Sequence, residues 1–120
     1  MNVCILGGRL TRPPEQRAVG DGRSLVIYEV AVDRPGGGSE TVPVVWEEAP
    51  AVAVDLDVDA EVVVVGRVRR RWFRSGGATQ SRTEVVADGV LPRRSWKRVA
   101  RLVADALAAV QEDVPCSAGS

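Results

Sequence analysis

The residues best suited to chemistry gather in one run, Gly66-Arg67-Val68-Arg69-Arg70-Arg71-Trp72-Phe73-Arg74, directly after the apolar Val62-Val63-Val64-Val65. Side chains of a strand alternate between its two faces. Arg67, Arg69, Arg71 and Phe73 therefore share one face, and Val68, Arg70 and Trp72 share the other. A guanidinium grips phosphate through paired hydrogen bonds and stacks on flat groups. An aromatic ring stacks on any base. A strand that carries both is a platform for single-stranded nucleic acid. Charge that keeps an edge strand from aggregating leaves the same pattern, so both readings stand on this run alone.

Such a strand needs a folded body behind it. The chain has 120 residues, enough for one domain with its own core, and 45% of them are apolar. Net charge is zero, which argues against a generic polyanion binder. The charge is nevertheless segregated: Asp55, Asp57, Asp59 and Glu61 precede the basic run, and no acid lies between Arg67 and Arg74. Only one of the 16 basic residues is a lysine, Lys97. Heavy arginine usage fits phosphate recognition and also fits a genome rich in GC. There is no histidine, and Cys4 and Cys116 stand at opposite ends, so neither a metal site nor a disulfide framework is expected. The alternating carboxylates at 55, 57, 59 and 61 read as solvated, and Gly36-Gly37-Gly38 lacks the lysine and helix of a phosphate-binding loop. No catalytic constellation is legible, so an enzyme is not expected and no cofactor is implied. No basic segment precedes the first apolar stretch and no apolar run is long enough to span a bilayer. A cytoplasmic, nucleoid-associated protein is the expectation.

Along the chain, residues 3–6 read as a first strand, relieved by Gly7-Gly8 and broken at Thr11-Arg12-Pro13-Pro14. Strands are expected over 25–33, 41–46, 61–73 and 82–87, with a short helix within 47–56 and a hairpin loop at 74–78. The period then changes. Trp96, Val99, Val103, Ala106 and Val110 fall three or four apart, with Leu107 four beyond Val103, which is one apolar stripe of a helix. Ser95 is its candidate N-cap. The charges on this helix oppose its dipole, with Arg94, Lys97, Arg98 and Arg101 at the start and Glu112 and Asp113 at the end. The expected organisation is a β-domain over 1–91, a helix over 92–113 and a disordered tail over 114–120. Five short strands and a helix predict an all-β, five-stranded barrel with a C-terminal amphipathic α-helix.

Five stretches in order resemble one family. Gly8-Arg9-Leu10-Thr11-Arg12-Pro13-Pro14-Glu15-Gln16-Arg17 is similar to the G-[RN]-L-T-x-D-P-E-x-R motif of bacterial single-stranded-DNA-binding proteins. Tyr28-Glu29-Val30-Ala31-Val32-Asp33-Arg34 resembles their second strand and Val44-Val45-Trp46 their third. Val64-Val65-Gly66-Arg67-Val68-Arg69 and Thr83-Glu84-Val85-Val86-Ala87-Asp88 resemble the last two. The chain is thus identified as a short, divergent member of that family, which implies an OB-fold that binds single strands with little sequence preference. It also implies a homo-oligomer, usually a tetramer, with a dimer left open. By the same resemblance Trp46 and Phe73 fall where bases stack, and Arg34, Arg69 and Arg71 fall near phosphate positions. The full candidate set is Arg9, Arg34, Trp46, Arg67, Arg69, Arg71, Trp72, Phe73, Arg74 and Arg82. Trp72 is offset by one from the usual aromatic, so a core or subunit contact is its other reading.

The departures from the pattern are specific. Glu40-Thr41 and Pro35-Gly36-Gly37-Gly38 stand where the family carries aromatics, and Pro13 replaces an acid. A stacked base contributes about 1–3 kcal/mol, so weaker binding than the family norm is expected. Glu112-Asp113-Val114-Pro115 lacks the aromatic end of the family's acidic tip, so recruitment of other enzymes through such a tip is not expected. The alternative reading is an OB-fold protein-interaction module that has lost tight DNA binding and assembles through its C-terminal helix.

Overall fold

Alternation of β-branched residues sets the framework. The computed structural model describes residues 1–114. Six strands and one helix follow in the order β1 (Cys4–Leu10), β2 (Glu15–Ala18), β3 (Ser24–Asp33), β4 (Ser39–Glu47), β5 (Glu61–Ser75), β6 (Ala78–Pro92) and α1 (Trp96–Asp113). The strand order is β1-β5-β6-β4-β3-β2, and β1 pairs with β3 as well as with β5. β1, β5, β6, β4 and β3 therefore close on one another, which is the OB-fold architecture expected. β2 is the strand that the sequence reading missed. Its residues are all exposed, so it carries no hydrophobic alternation to detect, and it exists only as an edge paired to β3.

Closure brings backbones together where only glycine fits. A Cβ on Gly8 would run into the Ala31 carbonyl, and one on Gly66 into the Val86 carbonyl. At Gly66 the β5–β6 ladder also skips a residue: Val65 faces Gly89 and Gly66 faces Ala87, leaving Asp88 as a bulge. The bulge lets Val85 and Ala87 on one side of it, and Val90 on the other, all point into the core. Beyond it the two strands run paired to a tight turn at Gly76-Gly77, with φ of 60° and 81°. This turn is why β6 begins at Ala78, well before the strand expected over 82–87.

Leu10, Tyr28, Val30, Val44, Val62 and Val64 form the centre of the core at no more than 1% exposure. The Tyr28 hydroxyl donates to the Ala53 carbonyl oxygen at 2.7 Å. Burial pushes this hydroxyl's pKa well above its ordinary range. Ala53 belongs to a single 3-10 turn, Ala51–Val54, which closes one end of the barrel with Ala49 and Leu56. The helix expected within 47–56 is limited to this turn because Pro50 removes a donor and disfavours helix before it.

α1 lies on the β5–β6 ribbon, with Leu102 seated against Gly89. Val99, Leu102, Val103, Ala106 and Val110 are half-buried. Trp96 and Leu107, expected on the same packed stripe, are 66% and 51% exposed. Ser95 occupies the N-cap position without a side-chain capping bond, and the first turn holds no acid. The tail expected over 114–120 lies, past Val114, outside the described residues.

Replacing Tyr28 with Phe leaves a buried carbonyl unsatisfied. The variant is expected to lose about 1–3 kcal/mol of stability, read from its urea midpoint. A raised folded-state pKa also means that wild-type stability falls as pH climbs past about 10, where the unfolded tyrosine ionises and the folded one does not. Tyr28→Phe lacks that component, so the two denaturation curves converge in alkali.

Candidate nucleic-acid interface

The face of β5 that carries Arg67, Arg69, Arg71 and Phe73 looks outward along the upper half of the ribbon. Its neighbours follow from register: Arg67 opposes Val86, Arg69 opposes Glu84, Arg71 opposes Arg82 and Phe73 opposes Gln80. On the far side of β6, β4 contributes Pro43 and Val45, and β3 contributes Ile27 and Glu29. With Arg12, Pro13, Glu15 and Arg17 from the β1–β2 connection and β2, these residues line a groove of about 320 Å³. Ile27, Pro43 and Val45 supply an apolar floor. Arg12, Arg17, Arg71 and Arg82 supply the walls.

Acids temper those walls. Arg12 donates to Glu29 at 2.9 Å and Arg17 to Glu15 at 3.2 Å. Glu84 lies at the bottom, only 2% exposed, with Arg69 Nη2 at 2.5 Å and Arg71 Nε at 3.3 Å. Arg69 also reaches Glu47 at 3.3 Å, and its buried Nε has no hydrogen-bond partner. The hydrogen bond to Glu84 is the main cause of its raised pKa, against the opposing effect of burial. Arg69 is thus held between two carboxylates. Arg71 differs: Glu84 accepts from its Nε, its guanidinium lies 5.5 Å from the Phe73 ring centre, and among the described residues its Nη1 and Nη2 hydrogen-bond to no protein atom, while the side chain lines the groove. Arg82 has no ion-pair partner among the described residues.

The structure brings together Arg69, Arg71, Phe73 and Arg82 of the candidate set, with Arg67 further along the same strand face. It does not gather the others with them. Arg74 is at the hairpin tip, donating to the Gly77 carbonyl at 3.4 Å. Arg9 faces Asp33 at 3.7 Å near the opposite end of β5. Arg34 sits in the β3–β4 turn, where its amide donates to Gly38. Trp72 is 64% exposed on the other face of β5, 5.9 Å from the Arg70 guanidinium, and touches neither core nor groove. Trp46 is half-buried against the core, on the face of β4 opposite Val45 and Glu47. It borders the clefts beside α1 and does not line the groove.

Besides Glu15, four charged groove residues were outside the candidate set: Arg12, Arg17, Glu29 and Glu84. The first two lie in the motif spanning residues 8–17, which was the available signal. The two glutamates are visible only once strand register sets them beside arginines. Among the described residues no group of three or more His, Cys, Asp or Glu is placed to hold a metal ion.

An OB-fold with a basic, apolar-floored groove defines a class of nucleic-acid-binding domain. The chain belongs to the single-strand binding protein family, whose model it matches over residues 1–92. That is a family of binding proteins, not of enzymes. It is 33% identical over 99 residues to a single-stranded DNA-binding protein of Oceanobacillus iheyensis. It is 35% identical over 99 residues to single-stranded DNA-binding protein 3 of Listeria innocua. Each alignment covers 75% of this chain and 62% of the relative, so the match spans under two thirds of those relatives.

Glu84→Gln keeps the shape of the carboxylate and removes its charge. Because the Arg69 and Arg71 side chains are 32% and 49% exposed, the full cost of breaking a buried pair does not apply. A loss of about 1–2 kcal/mol in chemical denaturation is expected.

Proposed function

We propose that this chain binds single-stranded DNA along the groove, with little sequence preference. The observation that carries the reading is the convergence of Arg12, Arg17, Arg71 and Arg82, from four different parts of the fold, around the floor of Ile27, Pro43 and Val45. Phosphates meet the guanidiniums, and a base stacks on Phe73 beside Arg71. Nothing in such contacts reads base edges, so sequence preference is weak. The names of the two relatives agree with this ligand. The role that fits is protection of single strands in replication, repair or recombination, by a homo-oligomer in the reduced cytoplasm at the nucleoid. Trp46 supports the fold behind the site, so stacking rests on fewer aromatics than the resemblance implied.

The test is anisotropy of a labelled dT oligonucleotide at several salt concentrations. Four neutralised phosphates give a slope of log affinity against log salt near −2.8, at about −0.7 per phosphate on single strands. Phe73→Ala is expected to weaken binding by about 5- to 150-fold, the equivalent of about 1–3 kcal/mol for one stacked base. Arg82→Ala is expected to flatten the slope by about 0.7. Trp46→Ala is expected to lower the melting temperature more than the affinity of the folded protein. Unchanged affinity and slope in an Arg71→Ala/Phe73→Ala variant would remove this groove as the binding site.

A further inference from the structure

α1 has two apolar faces, and the barrel uses one. Leu102 is seated against Gly89, with Val99 and Ala106 half-buried on the same side. A second line runs Trp96, Ala100, Val103, Leu107, Val110 and Val114, with spacings of four, three, four, three and four. That is the heptad spacing of a helix–helix seam. At 100° per residue it is centred about a quarter-turn from the barrel-facing line. Trp96, Leu107 and Val114 on it are 66%, 51% and 49% exposed, Ala100 is exposed, Val103 and Val110 are half-buried at its edge, and no residue of α1 is fully buried.

We infer that this seam pairs antiparallel with the same seam of a second copy of the chain. The line is self-complementary about Asp105. Laid against its own reverse it sets Trp96 opposite Val114, Ala100 opposite Val110 and Val103 opposite Leu107, so every seam residue meets a seam residue. This is the isologous contact a two-fold axis requires. Charge selects the direction. Arg94, Lys97, Arg98 and Arg101 occupy the first half with no acid among them, and Asp105, Glu112 and Asp113 occupy the second with no base. None of the four cations has an ion-pair partner among the described residues. A parallel pair would set like charges side by side. An antiparallel pair sets each basic half beside an acidic half and beside the negative end of the partner's dipole. Most of these charges lie away from the seam, so they bias direction while the apolar line makes the contact. The reversed charges that oppose the helix's own dipole thus favour its neighbour's. This pairing is separate from the groove and does not depend on DNA binding there.

The test is disulfide trapping in the full chain with Cys4→Ser and Cys116→Ser. Protein carrying Val103→Cys is mixed with protein carrying Leu107→Cys and oxidised. A disulfide needs Cα atoms about 4.4–6.8 Å apart, which antiparallel pairing supplies between 103 and 107 of different copies. The expected result is a mixed dimer at least about fivefold over either homodimer on a non-reducing gel. In the otherwise native chain, Leu107→Glu is expected to halve the mass seen by light scattering at tens of micromolar, with the circular dichroism spectrum unchanged. A Val103→Cys homodimer as the main product would mean parallel pairing and overturn the inference. No trapping, with mass unaffected by Leu107→Glu, would overturn it too and leave the face to a different protein.

Discussion

The alternation of side chains along β5 constrains everything else in this molecule. One face of its first half is the barrel wall, with Val62 and Val64 in the core. One face of its second half is the row Arg67, Arg69, Arg71 and Phe73. The strand stays in phase across both halves, and the bulge at Asp88 puts the necessary slip into β6 instead. The row of arginines is therefore positioned by the same valines that make the core. Gly66 stands at the crossover because a side chain there would strike the Val86 carbonyl. Core, closure and proposed binding face share one strand and one register.

The groove is basic in composition and nearly balanced in charge. Four arginines line it with three glutamates, Glu15, Glu29 and Glu84. Paired guanidiniums are held in place before a ligand arrives, which lowers the entropy lost on binding. The same pairing screens them from phosphate. Arg69 carries this furthest: it is held between Glu47 and Glu84, and Glu84 also accepts from Arg71. Counting arginines in the sequence thus overstates the positive charge a ligand meets. This local balance accompanies the zero net charge of the whole chain.

Much of the architecture was legible because it depends on local periodicity. Tyr28, Val30 and Val32 alternate, and the break in period after Pro92 announces the helix. The row of Arg67, Arg69, Arg71 and Phe73 along one face of β5 was legible for the same reason. What could not be read depends on partners distant in sequence. Glu84 meets Arg69 only through the β5–β6 register, and β2 exists only because β3 offers it an edge. Trp46 matched a family pattern, yet β4 turns it towards the core and α1 because Val45, one residue earlier, takes the groove side. On α1, the stripe sorted by spacing mixed two lines, one for the barrel and one outward. Leu102 lies off that stripe, yet it packs against Gly89.

The ring of strands is not equally joined all round. β4 meets β6 through only two register pairs, Val44 with Val85 and Val45 with Val86. β1 meets β3 through two more, Arg9 with Ala31 and Leu10 with Val30. Between these short joins lie two well-laced three-stranded sheets, β1–β5–β6 and β2–β3–β4. In mechanical terms the barrel is a clamshell with two narrow hinges. The groove straddles one of them, taking Arg12, Arg17, Ile27, Pro43 and Val45 from one shell and Arg71, Arg82 and Glu84 from the other. On the proposed function, a strand of nucleic acid in the groove would contact both shells across the join, coupling its occupancy to local opening there. The backbone amides at that join are where such coupling registers as slowed hydrogen exchange.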